Sequence, residues 1–190
     1  MKLIRTYTRV AAVLGVGAVG VAASLATGTA VTAVPVVPAD CGRFSGSPPP
    51  GQYTVIDMAT TATPNFYNSP GGLGPEFVIG TSGADTIQMS GDNDVVCALG
   101  GADFVDSSGG NDKVFGGVGE DELHGGADRD ILHGMDDHDE VFGDAGNDTL
   151  YGGDEPDDLD GGTGGNDFDY ADGGAAADTC VEIEDPTSPC

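Results

Sequence analysis

The sequence predicts an all-β solenoid coiled from nine-residue units. Two observations carry this. An aspartate returns every nine residues without a slip, at Asp85, Asp94, Asp103, Asp112, Asp121, Asp130, Asp139, Asp148 and Asp157. Two residues after each stands one aliphatic side chain: Ile87, Val96, Val105, Val114, Leu123, Leu132, Val141, Leu150 and Leu159. A turn rich in Gly, Asp and Asn separates consecutive units.

At the start of the chain, Lys2, Arg5 and Arg9 precede an uncharged run from Val10 to Ala39. Basic, apolar and small segments in that order predict a secretory signal peptide over residues 1–39, with export by the general route. The run is long enough to cross a bilayer as an anchor. Ala, Gly and Val dominate it, however, and Pro35 and Pro38 break its far end, so cleavage after Ala39 is the expectation.

Residues 40–78 carry Pro48-Pro49-Pro50, Pro64, Pro70 and Pro75. They read as an irregular arm holding one strand near Tyr53–Met58. The arm is too short for a catalytic domain. The chain has no HExxH zinc-protease motif and no GxSxG nucleophile elbow, so no enzyme activity is expected.

Residues 79–160 hold nine nonads in register. Numbered from the first turn residue, the aspartate is position 6 and the aliphatic residue position 8, as in Gly116-Gly117-Val118-Gly119-Glu120-Asp121-Glu122-Leu123-His124. Positions 7 to 9 are expected to form a strand of three residues, with position 8 inward and its neighbours outward. One nonad cannot bury its single aliphatic residue, so the units must stack. Positive backbone φ in the turns would explain Gly80, Gly83, Gly101, Gly110, Gly119 and Gly146. Asp92, Asp128, Asp137 and Glu155 take the fourth position elsewhere.

Residues 161–190 read as a degenerate cap. Asn166 stands where a tenth aspartate would fall, and Gly173-Gly174 through Asp178 resumes the pattern three residues late.

The formal net charge is −26. All 32 acidic residues lie from Asp40 onward, against Arg43, Lys113 and Arg129 alone. That balance argues against nucleic acid or an anionic membrane surface as partner.

If two nonads make one coil, nonads n and n+2 lie above one another at ~4.8 Å. The aspartates then form two columns: Asp85, Asp103, Asp121, Asp139 and Asp157 on one edge, Asp94, Asp112, Asp130 and Asp148 on the other. Neighbouring charges at that spacing repel by about 3 kcal/mol near a protein surface. A cation between rungs removes the penalty. Midway it would sit ~2.4 Å from each carboxylate oxygen, which suits calcium better than magnesium, and turn carbonyls can complete the shell.

The unit G-G-x-G-x-D-x-U-x, with U a large aliphatic residue, resembles that of the RTX (repeats-in-toxin) calcium-binding proteins. Residues 116–124 match it at every position, and the likeness spans residues 80–160. It implies a right-handed parallel β-roll with two nonapeptides per coil that folds as calcium fills its turns. The nine aspartates would be the side-chain ligands, at about seven sites counted as gaps between rungs. Met89, Ala98 and Ser107 depart from the pattern at position 1, and Pro156 is expected to weaken the last site.

Other constellations are less specific. His124 and His133 share position 9 but fall on opposite sheets, so they cannot chelate one ion. His138 is a turn residue. Asp92-Asn93-Asp94 lacks the rest of an EF-hand loop, and the sequon Asn147-Asp148-Thr149 lies inside a calcium turn. The outward positions divide unevenly: the sheet of the odd nonads presents Asp106, Glu122, Glu140, Asp158 and Asp160 with Phe104 and Phe142 among them, and the even sheet Val95, Cys97, Phe115, Ile131, His133 and Tyr151 with Lys113 its one charge. Such an apolar face is either a docking surface or is covered by the chain itself. The first alternative makes the protein a calcium-rigidified adhesion or surface-interaction module. The second suggests a Cys41–Cys97 disulfide that lays Tyr53, Ile56 and Phe66 over the even sheet, with Cys180–Cys190 closing the cap.

Overall fold

Among the described residues, fourteen strands, all parallel to their neighbours, form two facing seven-stranded sheets. The computed structural model describes residues 53–60, 65–163 and 168–190. Contacts divide the chain into Met1–Pro35 and Val36–Cys190, and every described residue belongs to the second unit. The expected signal peptide, Cys41 and Asn166 lie outside the described residues. No helix among the described residues is long and apolar enough to cross a membrane.

The chain alternates between sheets. The first contains β1 (Thr54–Asp57), β3 (Glu76–Ile79), β5 (Val95–Gly100), β7 (Lys113–Val118), β9 (Ile131–Asp136), β11 (Thr149–Gly153) and β13 (Tyr170–Gly174). The second contains β2 (Phe66–Asn68), β4 (Thr86–Gln88), β6 (Phe104–Asp106), β8 (Glu122–Ala127), β10 (Glu140–Ala145), β12 (Asp158–Asp160) and β14 (Thr179–Val181). Two strands therefore make one coil. Val114 pairs with Val96 and Leu132, and Leu123 with Val105 and Val141, so each partner lies eighteen residues away.

The position-8 residues from Ile87 to Leu159 are all buried and form one continuous core. Each coil adds two side chains to a line only one layer deep. A deletion there cannot be absorbed by neighbours on other sides, because there are few. Leu132, with no exposed surface, should lose about 2–5 kcal/mol on substitution by Ala. Thermal denaturation in saturating calcium measures it.

Three expectations require correction. The arm is not irregular throughout: β1, β2 and β3 continue the coil by pairing with the strands that follow. Ile56 and Tyr67 point inward and pack on the core, while Phe66 is half-exposed on the second sheet. Only Tyr53 rests on the outer face of the first sheet, against Phe77, Ile79 and Val95. Pro70 and Pro75 fall between β2 and β3 rather than within a strand, so they interrupt neither.

The three-residue strands expected at positions 7 to 9 are found at β4, β6 and β12, but other strands run longer. β7 to β10 each span six, running on through positions 1 to 3 of the next nonad. Pairs such as Gly117 with Met135 and Val118 with Asp136 carry the ladder past a positive-φ residue. Of the six turn glycines, Gly101, Gly110 and Gly119 have φ near +120°, but Gly80, Gly83 and Gly146 do not have positive φ. At Gly80 and Gly146 the requirement is space: a side chain would run into the carbonyl oxygen of Ala98 or Asp128 on an adjacent coil.

The Cys180–Cys190 disulfide is present, with Cα atoms 6.0 Å apart.

Candidate metal centre

Each repeat aspartate sits where the turn enters the strand, with its side chain directed into the edge of the coil. The predicted site residues Asp85, Asp94, Asp103, Asp112, Asp121, Asp130, Asp139, Asp148 and Asp157 are all buried. Parity sorts them into two columns. In each, the backbone N–H of one rung donates to Oδ1 of the next: Asp85 to Asp103 at 2.7 Å, Asp103 to Asp121 at 2.8 Å, and onward to Asp139 and Asp157. The other column runs Asp94, Asp112, Asp130, Asp148 in the same way.

The second carboxylate oxygen is the unusual one. Oδ2 of Asp94, Asp103, Asp112, Asp121, Asp130, Asp139 and Asp157 is buried and receives no hydrogen bond. A buried acceptor without a donor costs about 1–3 kcal/mol, and more when it is charged. At Asp121, Asp130, Asp139 and Asp157 this oxygen faces the position-1 glycine of its own turn. A Cβ at Gly125 would stand 2.7 Å from Asp130 Oδ2 and 2.8 Å from the Gly143 carbonyl oxygen. Glycine there leaves open a cradle lined by a carboxylate and a backbone carbonyl. Met89, Ala98 and Ser107 fill the same position with buried side chains, and Ser107 donates to the carbonyls of His124 and Gly125.

Burial raises these carboxyl groups above their ordinary value of 3.8, and nearby carboxylates add to it, against the lowering effect of the N–H donors. Asp94 and Asp121 are pushed up to about 6, Asp103 and Asp130 to about 7, Asp112 and Asp139 to about 8. Asp157 is raised for the same leading reason. The columns thus resist carrying their charge unless something positive joins them.

No group of three or more His, Cys, Asp or Glu side chains close enough to grip an ion occurs among the described residues. The donors along the columns are carboxylate oxygens supplemented by backbone carbonyls, which is a donor set for a hard cation such as calcium. The residues fit that ion. Its role would be to neutralise successive rungs.

The histidines stay outside this arrangement. His124 lies between Glu122 and Asp144, each 3.2 Å from a ring nitrogen, and stacks on Phe142. His133 stacks between Phe115 and Tyr151 on the opposite sheet. His138 donates to or accepts no column carboxylate and meets the Pro156 carbonyl instead. Pro156 leaves the column intact, since Asp157 is still bonded on both sides.

Sequence reasoning stopped the columns too early. Asp148 N–H donates to Asp169 Oδ1 at 2.7 Å, and Asp157 N–H to Asp178 Oδ1 at 3.0 Å. Both steps are twenty-one residues, so three extra residues are accommodated between β12 and β13. The resumption at Gly173-Gly174 was the available signal. Ala171 in the inward position hid the rung at Asp169, because it is not a large aliphatic residue.

Parallel coils with carboxylate columns along both edges define a metal-binding β-solenoid. A family model described as the RTX calcium-binding nonapeptide repeat (4 copies) matches residues 70–105, 98–132, 106–141 and 133–166. The chain belongs to that family, and its repeats are calcium-binding repeats. Comparison with curated proteins and with solved structures returns no match.

Proposed function

We propose that the chain is a secreted, non-catalytic calcium-binding protein whose coil folds when it meets extracellular calcium. The buried carboxylate oxygens without donors carry this reading. A chain with so many of them is poorly stable alone, so the free energy of binding is largely free energy of folding. The basic-then-apolar segment at residues 1–39 supports export. Ligands would be the nine repeat aspartates with turn carbonyls. Asp169 and Asp178 each add a rung, which takes the number of gaps beyond the seven counted from sequence. The charge of −26 disfavours nucleic acid and anionic membranes as partners.

A calcium titration followed by circular dichroism and calorimetry tests this. Stripped protein should gain β signal as calcium reaches about millimolar, the range of extracellular modules. Magnesium at equal concentration should not replace it. A spectrum indifferent to calcium rules the mechanism out.

A second reading, a calcium-rigidified interaction module, draws on the outer face of the first sheet. Its N-terminal half is buried at Phe77, Ile79, Val95 and Phe115, which disfavours docking there. Its C-terminal half keeps Ile131, His133 and Tyr151 partly exposed in a stacked row. Any partner would engage that half.

A further inference from the structure

Both aspartate columns end, on the N-terminal side, in rungs whose polar groups are satisfied by the protein itself. One coil before Asp94, the rung is Glu76, a glutamate where the repeat has aspartate. Its N–H donates to Asp94 Oδ1 at 2.8 Å, as every rung of the column does. Its carboxylate is buried, yet both oxygens have donors: the Tyr67 hydroxyl on Oε1 and the Ser69 hydroxyl on Oε2. Ser69 is in turn 3.1 Å from the Ser90 hydroxyl. The longer glutamate reaches these hydroxyls.

In the other column the first aspartate is Asp85. Unlike those below it, its Oδ2 accepts the Thr81 N–H at 2.6 Å, and its Oδ1 accepts the Thr81 hydroxyl at 3.0 Å. The rung before it is Asn65. That side chain is an amide, and its Nδ2 donates to the Gly83 carbonyl and the Ala84 carbonyl at 3.2 Å and to Thr81 Oγ1 at 3.0 Å. Turn carbonyls and a rung carboxylate are the groups that a cation would otherwise serve. Here a neutral amide and a threonine serve them.

We propose that Asn65, Thr81, Tyr67 and Ser69 form a metal-independent cap, in which protein donors take the place of calcium and hold the first coils ready for the metal-dependent coils to build on. The cap rests on the calcium-folding reading above. Asp85 and Glu76 are then closing rungs, and calcium occupies gaps only from Asp85 downward. Folding gains a direction, because a preformed coil supplies the strand edges of β4 and β5 on which the next coil can pair.

Hydrogen exchange on the full chain in chelator at neutral pH tests the cap. Amides of β3 and β4, together with that of Thr81, should exchange at least about tenfold more slowly than those of β8 to β11, a difference that marks a separate unit of local stability. Equal and rapid exchange throughout overturns the cap while leaving calcium folding intact. Equal and strong protection throughout overturns calcium folding instead, and the cap with it. Asn65→Asp replaces the donor amide with an acceptor. Its β3 and β4 amides should lose protection in chelator and recover it with calcium. Protection in chelator that survives Asn65→Asp removes the amide from its assigned role and overturns the proposal.

Discussion

Acidified from pH 8 to pH 5 in chelator, the protein should gain β-structure rather than lose it. The carboxyls of Asp103, Asp112, Asp130 and Asp139 sit at about 7 to 8 in the folded coil, against 3.8 ordinarily. A folded-state value raised above the unfolded one means that the coil binds more protons than the unfolded chain. The associated stability is fully present below about pH 4 and disappears as pH rises through 6 to 8. Protons therefore do, weakly, what calcium does at neutral pH. With calcium bound the order reverses, since the ion competes with protons and binds more tightly as pH rises. Far-UV circular dichroism over that pH range, with and without calcium, gives two curves of opposite slope. Two curves sloping the same way would contradict the electrostatic account. Asp130→Asn isolates the effect at one rung. It keeps an Oδ1 acceptor for the Asp112 N–H and removes the charge. It should stabilise the coil in chelator at pH 8 and weaken it in calcium.

Gly146→Val should abolish the coil even in saturating calcium. A Cβ at position 146 runs into the backbone carbonyl oxygen of Asp128, one coil away. Backbone has no rotamer by which to move aside, so the turn must separate from its neighbour. Asp130 and Asp148 lie in those two turns, so the separation also parts two rungs of a column. The cost should exceed about 4 kcal/mol, a range reached only by severe strain or overpacking. Gly91→Ala is the control. It is exposed, and the nearest atom to its added methyl is the Gly109 oxygen at 3.9 Å. Its melting temperature in calcium should stay within a degree or two of the parent, as roughly expected of a change below about 0.5 kcal/mol. Equal melting temperatures for the two variants would refute the close-approach argument.

Much of this was legible in the sequence because a solenoid repeats its physics. A period of nine locked to Asp and to an aliphatic residue dictates both the inward core from Ile87 to Leu159 and the two aspartate columns. The ends were less legible, for the same reason. Glu76, Tyr67 and Asn65 stand in repeat positions with residue types that the repeat does not use. Asp169 follows a three-residue insertion and precedes a small Ala171. Where a coil meets solvent instead of another coil, its residues answer to different demands, and periodicity cannot report them. The outer face was read in part. Its apolar character was plain, but only Tyr53 of the three arm residues expected there lies on it.

The far end of the coil matters for a different reason. A stack of parallel strands has no intrinsic length, and its last strand offers a row of unpaired backbone groups to any similar chain. Here the C-terminal tail takes up part of that offer, along β13, the last strand of the first sheet. Asp185 N–H binds the Asp169 carbonyl at 3.0 Å, Ser188 Oγ accepts the Ala171 N–H at 3.2 Å, and Ile183 packs on the end of the core. The disulfide between Cys180 and Cys190 ties the tail back to β14, whose middle residue is Cys180. Opening the disulfide should loosen the tail and leave the backbone edge of β13 exposed to pairing.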